Sequence, residues 1–127
     1  MNLMNIIHTL EEDKRILAVY LLGSGARGEL RKDSDIDLGL LLFNGETIGA
    51  KERADLAGRL SYEMGRTVDI GIVSSKNLVY AKEALLTGKK IFDRDRSRST
   101  VASATLLGMY IRFNEDRKEV LDAYRTR

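Results

Sequence analysis

Ten residues separate Ser24 from Asp35 in the stretch GSGARGELRKDSDIDLGLLL, and Asp37 stands at the next alternate position. Gly23 and Ser24 close one apolar run, and Asp35 and Asp37 open the next. The amides of a glycine-serine turn can cradle a phosphate, and paired carboxylates beside it can hold a divalent cation. Those are the parts needed to move a nucleotide, so the spacing predicts a nucleotidyltransferase site. Strand placement is part of the inference. Side chains at i and i+2 of a strand share a face with Cα atoms about 6.6–6.8 Å apart, whereas on a helix the same spacing turns them about 200° apart.

Asp69 extends the constellation, because in TVDIGIV it alternates with Val68, Ile70 and Ile72 and so falls off the apolar face. A neighbouring strand would bring it beside Asp35 and Asp37. Carboxylates gathered without a cation raise one another's pKa, which makes Mg²⁺, or Mn²⁺, the natural partner. Asp35 and Asp37 would position two ions about 3.5–4 Å apart, one on the triphosphate and one on the attacking hydroxyl. Asp69 would ligate the second ion or take the proton. Gly23 lets the backbone approach the ligand closely, and the Ser24 hydroxyl can donate to a phosphate oxygen. Arg27, Arg31 and Lys32 can neutralise phosphate charge, with Arg27 favoured as the nearest to the turn.

The elements that must position these groups are legible in the hydrophobic pattern. Leu3, Ile6, Ile7 and Leu10 predict an opening helix. Residues 15–22 read as a strand covered on both faces. Residues 23–28 form a turn into a short helix or loop. Residues 34–43 read as a second strand, with Ile36, Leu38, Leu40 and Leu42 on one face and Asp35, Asp37 and Gly39 on the other. A helix over 51–64 presents Ala54, Ala57, Leu60 and Met64 and ends at Gly65. A third strand spans 67–73, Ser75 caps a helix over 76–87, and 90–92 form a fourth strand. From Ser97 onward Leu106, Tyr110, Phe113, Val120 and Tyr124 mark a long helix that Gly108 or Asn114 could bend or break. About 28 helical residues span roughly 42 Å, more than the roughly 36 Å diameter of a compact chain of this size. The far end should overhang as a docking surface. The fold class expected is α/β: a small mixed sheet flanked by helices, with a long C-terminal helix.

Composition sets the bounds. The chain has 127 residues, 43% hydrophobic and 31% charged, enough for one core, so a single domain is expected over 1–127, with a core at 15–93 and a helical extension at 97–127. The net charge of +2 is spread along the chain and does not argue for a nucleic-acid binder. There is no cysteine, so metal chemistry must use oxygen ligands. The apolar runs 16–22 and 38–43 fall far short of the roughly 20 residues of a membrane helix, and the N-terminus lacks the order of a signal peptide. A cytoplasmic protein is expected.

The motif GSGARGELRKDSDIDL resembles the signature of the DNA polymerase beta-type nucleotidyltransferase superfamily, specifically its minimal (MNT) branch. The likeness covers residues 16 to about 92, including Asp69 and the segment GKKIFDRD. It maps the family's serine to Ser24, its paired acids to Asp35 and Asp37, and its third acid to Asp69. The resemblance implies an antitoxin that uses ATP and Mg²⁺ to transfer AMP to a tyrosine of a HEPN-domain toxin. Two other readings stand beside it: an antitoxin that masks its partner by binding alone, and transfer to a small molecule such as an aminoglycoside. Elsewhere the plainer chemistry is expected. Asp93 and Asp95 read as a solvated, helix-capping turn, His8 as a surface residue, and Lys89 and Lys90 as complements to a helix dipole.

Overall fold

The computed structural model describes residues 3–29 and 34–125. In chain order these form α1 (Met4–Glu11), β1 (Ile16–Leu22), α2 (Gly23–Ala26), β2 (Ile36–Leu42), α3 (Ala50–Met64), β3 (Val68–Val73), α4 (Leu78–Thr87), β4 (Lys89–Asp93) and α5 (Arg96–Arg125). The strands make one mixed sheet in the order β3-β2-β1-β4. β1 runs antiparallel to both β2 and β4, and β2 runs parallel to β3. A parallel pair needs a crossover, which α3 supplies.

Each face of the sheet is covered by helices. On one, Ile6 and Leu10 of α1 and Leu60 of α3 pack on Val19, Leu21, Ile36, Leu38, Leu40 and Val68. On the other, Ala81 and Ala84 of α4 and Leu106 of α5 pack on Leu17, Ala18, Tyr20, Leu41 and Val73. This two-sided burial explains the continuous apolar run of β1. A register shift against β2 between Ile16 and Ala18 puts Leu17 and Ala18 on the same face, an irregularity the alternation did not announce.

Several sequence expectations are corrected. Asn77, not Ser75, caps α4, accepting from the Tyr80 amide at 3.1 Å, and the helix starts at Leu78. Of the expected α3 face Ala54 is exposed, whereas Leu60 is buried as expected and Met64 is partly buried, joined by Leu56, which the spacing did not mark. Asp35 lies one residue ahead of β2 rather than within it. α5 passes through Gly108 and Asn114 unbroken for 30 residues. Its apolar stripe is core only as far as Leu106 and half-buried Tyr110; Phe113, Val120 and Tyr124 are exposed.

The segment after β4 also departs from the plain reading. Asp95 does cap α5, accepting from the Arg98 amide at 3.1 Å. Asp93, however, turns inward to Lys90 at 2.9 Å and to fully buried Ser99 at 2.8 Å. Lys90 is thus committed to Asp93 within β4 rather than to a helix end.

Between these two acids, Arg94 donates to the carbonyls of Ile16 and Glu11, each at 2.8 Å, stitching the β4–α5 turn to the entrance of β1. Charged donors to buried carbonyls contribute strongly, and an ammonium cannot reproduce the guanidinium fork. Arg94→Ala is expected to cost about 2–3 kcal/mol in denaturant unfolding, with Arg94→Lys recovering less than half. A loss under about 0.5 kcal/mol would contradict this.

Candidate active site

The pairing of β2 with β3 decides which acids meet. In that parallel register Asp37 stands opposite Asp69, and Gly39 opposite Gly71. Both acids project on the face away from α1 and α3, because Ile36, Leu38 and Val68 occupy the other. Two anchors hold the ends of these strands. The Arg66 Nε donates to the carbonyl of Ser34 at 2.8 Å, fixing the approach to Asp35. The Val68 amide donates to Ser61 Oγ at 2.9 Å, fixing the approach to Asp69. Gly65 ends α3 in the left-handed conformation, at φ 66°, and lets the chain turn into β3.

The glycine-serine bend lies beside this pair. Leu22, the last residue of β1, is the register partner of Asp37. Gly23 follows with φ 61°, and a Cβ there would stand 3.3 Å from Asp37 Oδ2. The left-handed backbone angle favours glycine, and a side chain there would also press on the Asp37 carboxylate. The expected turn into a short helix is the single turn of α2, with half-buried Ser24 as its second residue. Arg27 is exposed and its Nε donates to Glu29 at 3.2 Å, so its guanidinium is turned to a surface partner. Arg31 and Lys32 lie outside the described residues.

Burial is the main cause that pushes the Asp37 carboxyl above its ordinary range, followed by the charges of Asp69 and then Asp35. All three acids therefore share one electrostatic neighbourhood. Among the described residues they do not form a ready-made nest of three metal-ligating side chains. The donor set is all oxygen, and Mg²⁺ is commonly held by one or two carboxylates completed by substrate phosphates. The Asp37–Asp69 pair beside a phosphate-sized bend fits that pattern.

The raised Asp37 has a consequence for stability. A carboxyl whose folded pKa lies above its unfolded value adds stability below the unfolded pKa, and that stability is lost as pH rises through the folded pKa. At pH 7 the metal-free protein thus carries the cost of an unrelieved charge. Asp37→Asn is expected to raise its melting temperature there by at most about 2–4 °C, solvent screening keeping the effect small. The gain should fade toward pH 4, near the ordinary carboxyl pKa. A variant less stable than the parent at pH 7 would contradict this reading.

Tyr80 was not among the residues singled out by sequence. Its ring lies across the two glycines next to the acids: a Cβ on Gly71 would fall on the Tyr80 hydroxyl and ring, and one on Gly39 would stand 3.3 Å from the hydroxyl. Burial and then the Asp37 charge push the phenol up, while Arg53 pulls it down. The repeated Asp-x-Gly of DLG (37–39) and DIG (69–71) was the available signal, two strands leaving the same vacant row beside an acid. His8, as expected, is exposed, with Glu11 at 3.2 Å.

The profile of the family described as Polymerase beta, Nucleotidyltransferase matches residues 4–97. The protein adenylyltransferase MntA of Shewanella oneidensis is 25% identical over 123 residues, spanning 96% of this chain and 86% of that protein. The fold is similar to a chain of a toxin–antitoxin crystal structure with AMP-PNP, with a TM-score of 0.82 at 23% identity, covering 98% of this chain and 99% of the other. It is also similar to a chain in the complex of the tri-AMPylated Shewanella oneidensis HEPN toxin with MNT antitoxin, with a TM-score of 0.76 at 21% identity, covering 96% and 94%. Among the described residues no helix is long and apolar enough to cross a membrane.

Proposed function

The chain belongs to the polymerase beta nucleotidyltransferase family, and on that premise we propose that it is a minimal nucleotidyltransferase transferring AMP from ATP to a tyrosine hydroxyl of a HEPN-domain toxin. The observation that carries this reading is the register pairing of Asp37 with Asp69 beside the Gly23–Ser24 bend. The relative named a protein adenylyltransferase, and the AMPylated HEPN toxin in a complex of similar fold, support the reaction and the partner.

In this reading Gly23 and Ser24 hold the triphosphate through backbone amides and the serine hydroxyl. Asp35, Asp37 and Asp69 are the residues that would hold Mg²⁺. The ion would supply charge neutralisation on the phosphates and a lower pKa for the acceptor hydroxyl. The acceptor oxygen attacks the α-phosphorus in line, forming a new P–O bond. The bond from the α-phosphorus to the bridging oxygen breaks, and pyrophosphate departs with that electron pair. Asp69 receives the phenolic proton. Arg27 would swing from Glu29 to the phosphates, a small cost because an exposed ion pair contributes little.

A second reading, neutralisation by contact, draws on the exposed apolar residues of α5, including Ile111, Phe113, Val120, Leu121 and Tyr124. Apolar side chains at that density on a helix suit a protein partner. One experiment separates the two. The purified chain, ATP, Mg²⁺ and the product of the adjacent reading frame are incubated and the partner is weighed by mass spectrometry. A gain of one or more AMP masses supports transfer. Neutralisation of the partner with no mass gain would replace it with contact.

A further inference from the structure

The chain has five tyrosines, all of them among the described residues. Tyr20 shares its hydroxyl with Ser103 of α5 at 3.5 Å, Tyr110 lies beneath the Lys82 ammonium, and Tyr62 and Tyr124 are exposed on α3 and near the end of α5. Tyr80, in the first turn of α4, is the one seated beside the acids. Its hydroxyl rests where a Cβ of Gly71 would stand, and 3.3 Å from where a Cβ of Gly39 would. Those glycines are register partners, each two residues along its strand from Asp69 or Asp37 and on the same face. The row spacing is about 6.6 Å, and along β2 and β3 no side chain on that face separates the phenol from the two carboxylates. The role given above to the bend and the acids makes no use of this hydroxyl.

We propose that Tyr80 is an AMP acceptor within the chain itself, so that with ATP and a divalent cation the protein adenylylates its own Tyr80 Oη. The inference rests on the nucleotidyltransferase reading and adds a second acceptor to it. Tyr80 Oη attacks the α-phosphorus and forms a new P–O bond. The bond from that phosphorus to the bridging oxygen breaks, and pyrophosphate leaves with the electron pair. Burial and the Asp37 charge keep the phenol protonated at neutral pH, so a base is needed, and Asp69 on the same face receives the proton. Attack requires the oxygen about 3–3.5 Å from the phosphorus. With the α-phosphate over the acid row, the ring need move by less than one row spacing. It has room to do so, because Tyr80 is half-buried and its other side lines a cleft of about 420 Å³ at the β3 edge. The product carries its AMP on the face that must seat the triphosphate, so the reaction stops at one AMP per chain.

The test incubates the full wild-type chain alone with ATP and Mg²⁺, weighs it intact and maps the modified peptide by tandem mass spectrometry. A gain of one AMP mass is expected, located on Tyr80, with a fractional rate that does not depend on protein concentration. Tyr80→Phe keeps the ring on both glycines and should lower self-labelling at least about tenfold. The site map needs no variant, so it reports even if Tyr80→Phe fails to fold. AMP on Tyr62 or Tyr124 instead, a fractional rate that rises with protein concentration, or undiminished labelling of Tyr80→Phe would overturn the proposal. A chain that stays unmodified while it transfers AMP to the product of the adjacent reading frame would overturn it too, leaving the transfer reaction standing. If neither chain nor partner gains AMP, the nucleotidyltransferase reading falls and this inference with it.

Discussion

Asp37→Asn is expected to lower AMP transfer by about three orders of magnitude or more while leaving the fold intact. Asp37 is the acid nearest the glycine-serine bend and the one that faces Asp69 across the β2–β3 ladder. An amide there removes the charge that would hold a cation against the triphosphate, and such cations supply several kcal/mol of transition-state stabilisation. Each 1.36 kcal/mol is tenfold in rate, so a loss of about 4 kcal/mol gives the expected factor. Asn is nearly isosteric, and relief of the repulsion at Asp37 favours the metal-free fold, so activity and stability should move in opposite directions. Initial rates of labelled AMP incorporation, read beside thermal melts, check both. Transfer retained within about tenfold of wild type would contradict the role given to Asp37.

Gly71→Ala carries the second large effect, and it acts through Tyr80. The added methyl would occupy the space of the phenol, with the strand backbone on one side and the ring on the other. The ring must leave its seat, a displacement that typically costs about 1–3 kcal/mol in a packed site. Transfer should fall with it, because Tyr80 packs on Gly39 and Gly71 within reach of the Asp37 charge. A double-mutant cycle isolates the cause. Gly71→Ala combined with Tyr80→Leu should be less destabilised than the sum of the single changes by about 1 kcal/mol or more. Strict additivity would show that the two residues do not share that space.

The parts of the molecule written in periodicity were legible before the structure. Alternation in IDLGLLL and VDIGIV placed Asp37 and Asp69 off the apolar face, and the register of β2 against β3 brings them opposite each other. The unbroken apolar run of β1 announced a strand buried on both sides. What escaped has a common physical reason: it depends on partners distant in the chain. The Arg94 staple reaches carbonyls of residues 11 and 16, which carry no side-chain signature. Tyr80 reads as an ordinary helical residue until Gly39 and Gly71 are seen to leave room for it. The stripe of α5 shows the opposite failure. Amphipathic spacing marks a face that can be covered but does not say what covers it, and beyond Tyr110 the stripe residues Phe113, Val120 and Tyr124 are exposed.

In the proposed function, one face of the β2–β3 ladder and the adjoining bend form a seat for a nucleoside triphosphate. A crystal structure of the chain with AMP-PNP and Mg²⁺ tests it most directly. The phosphates are expected against the amides of Gly23 and Ser24, with Asp37 and Asp69 oxygens sharing a cation with them. A nucleotide bound instead in the larger cavity of about 670 Å³ between α5 and the turn after β2, with the carboxylates of Asp37 and Asp69 left in solvent, would contradict it.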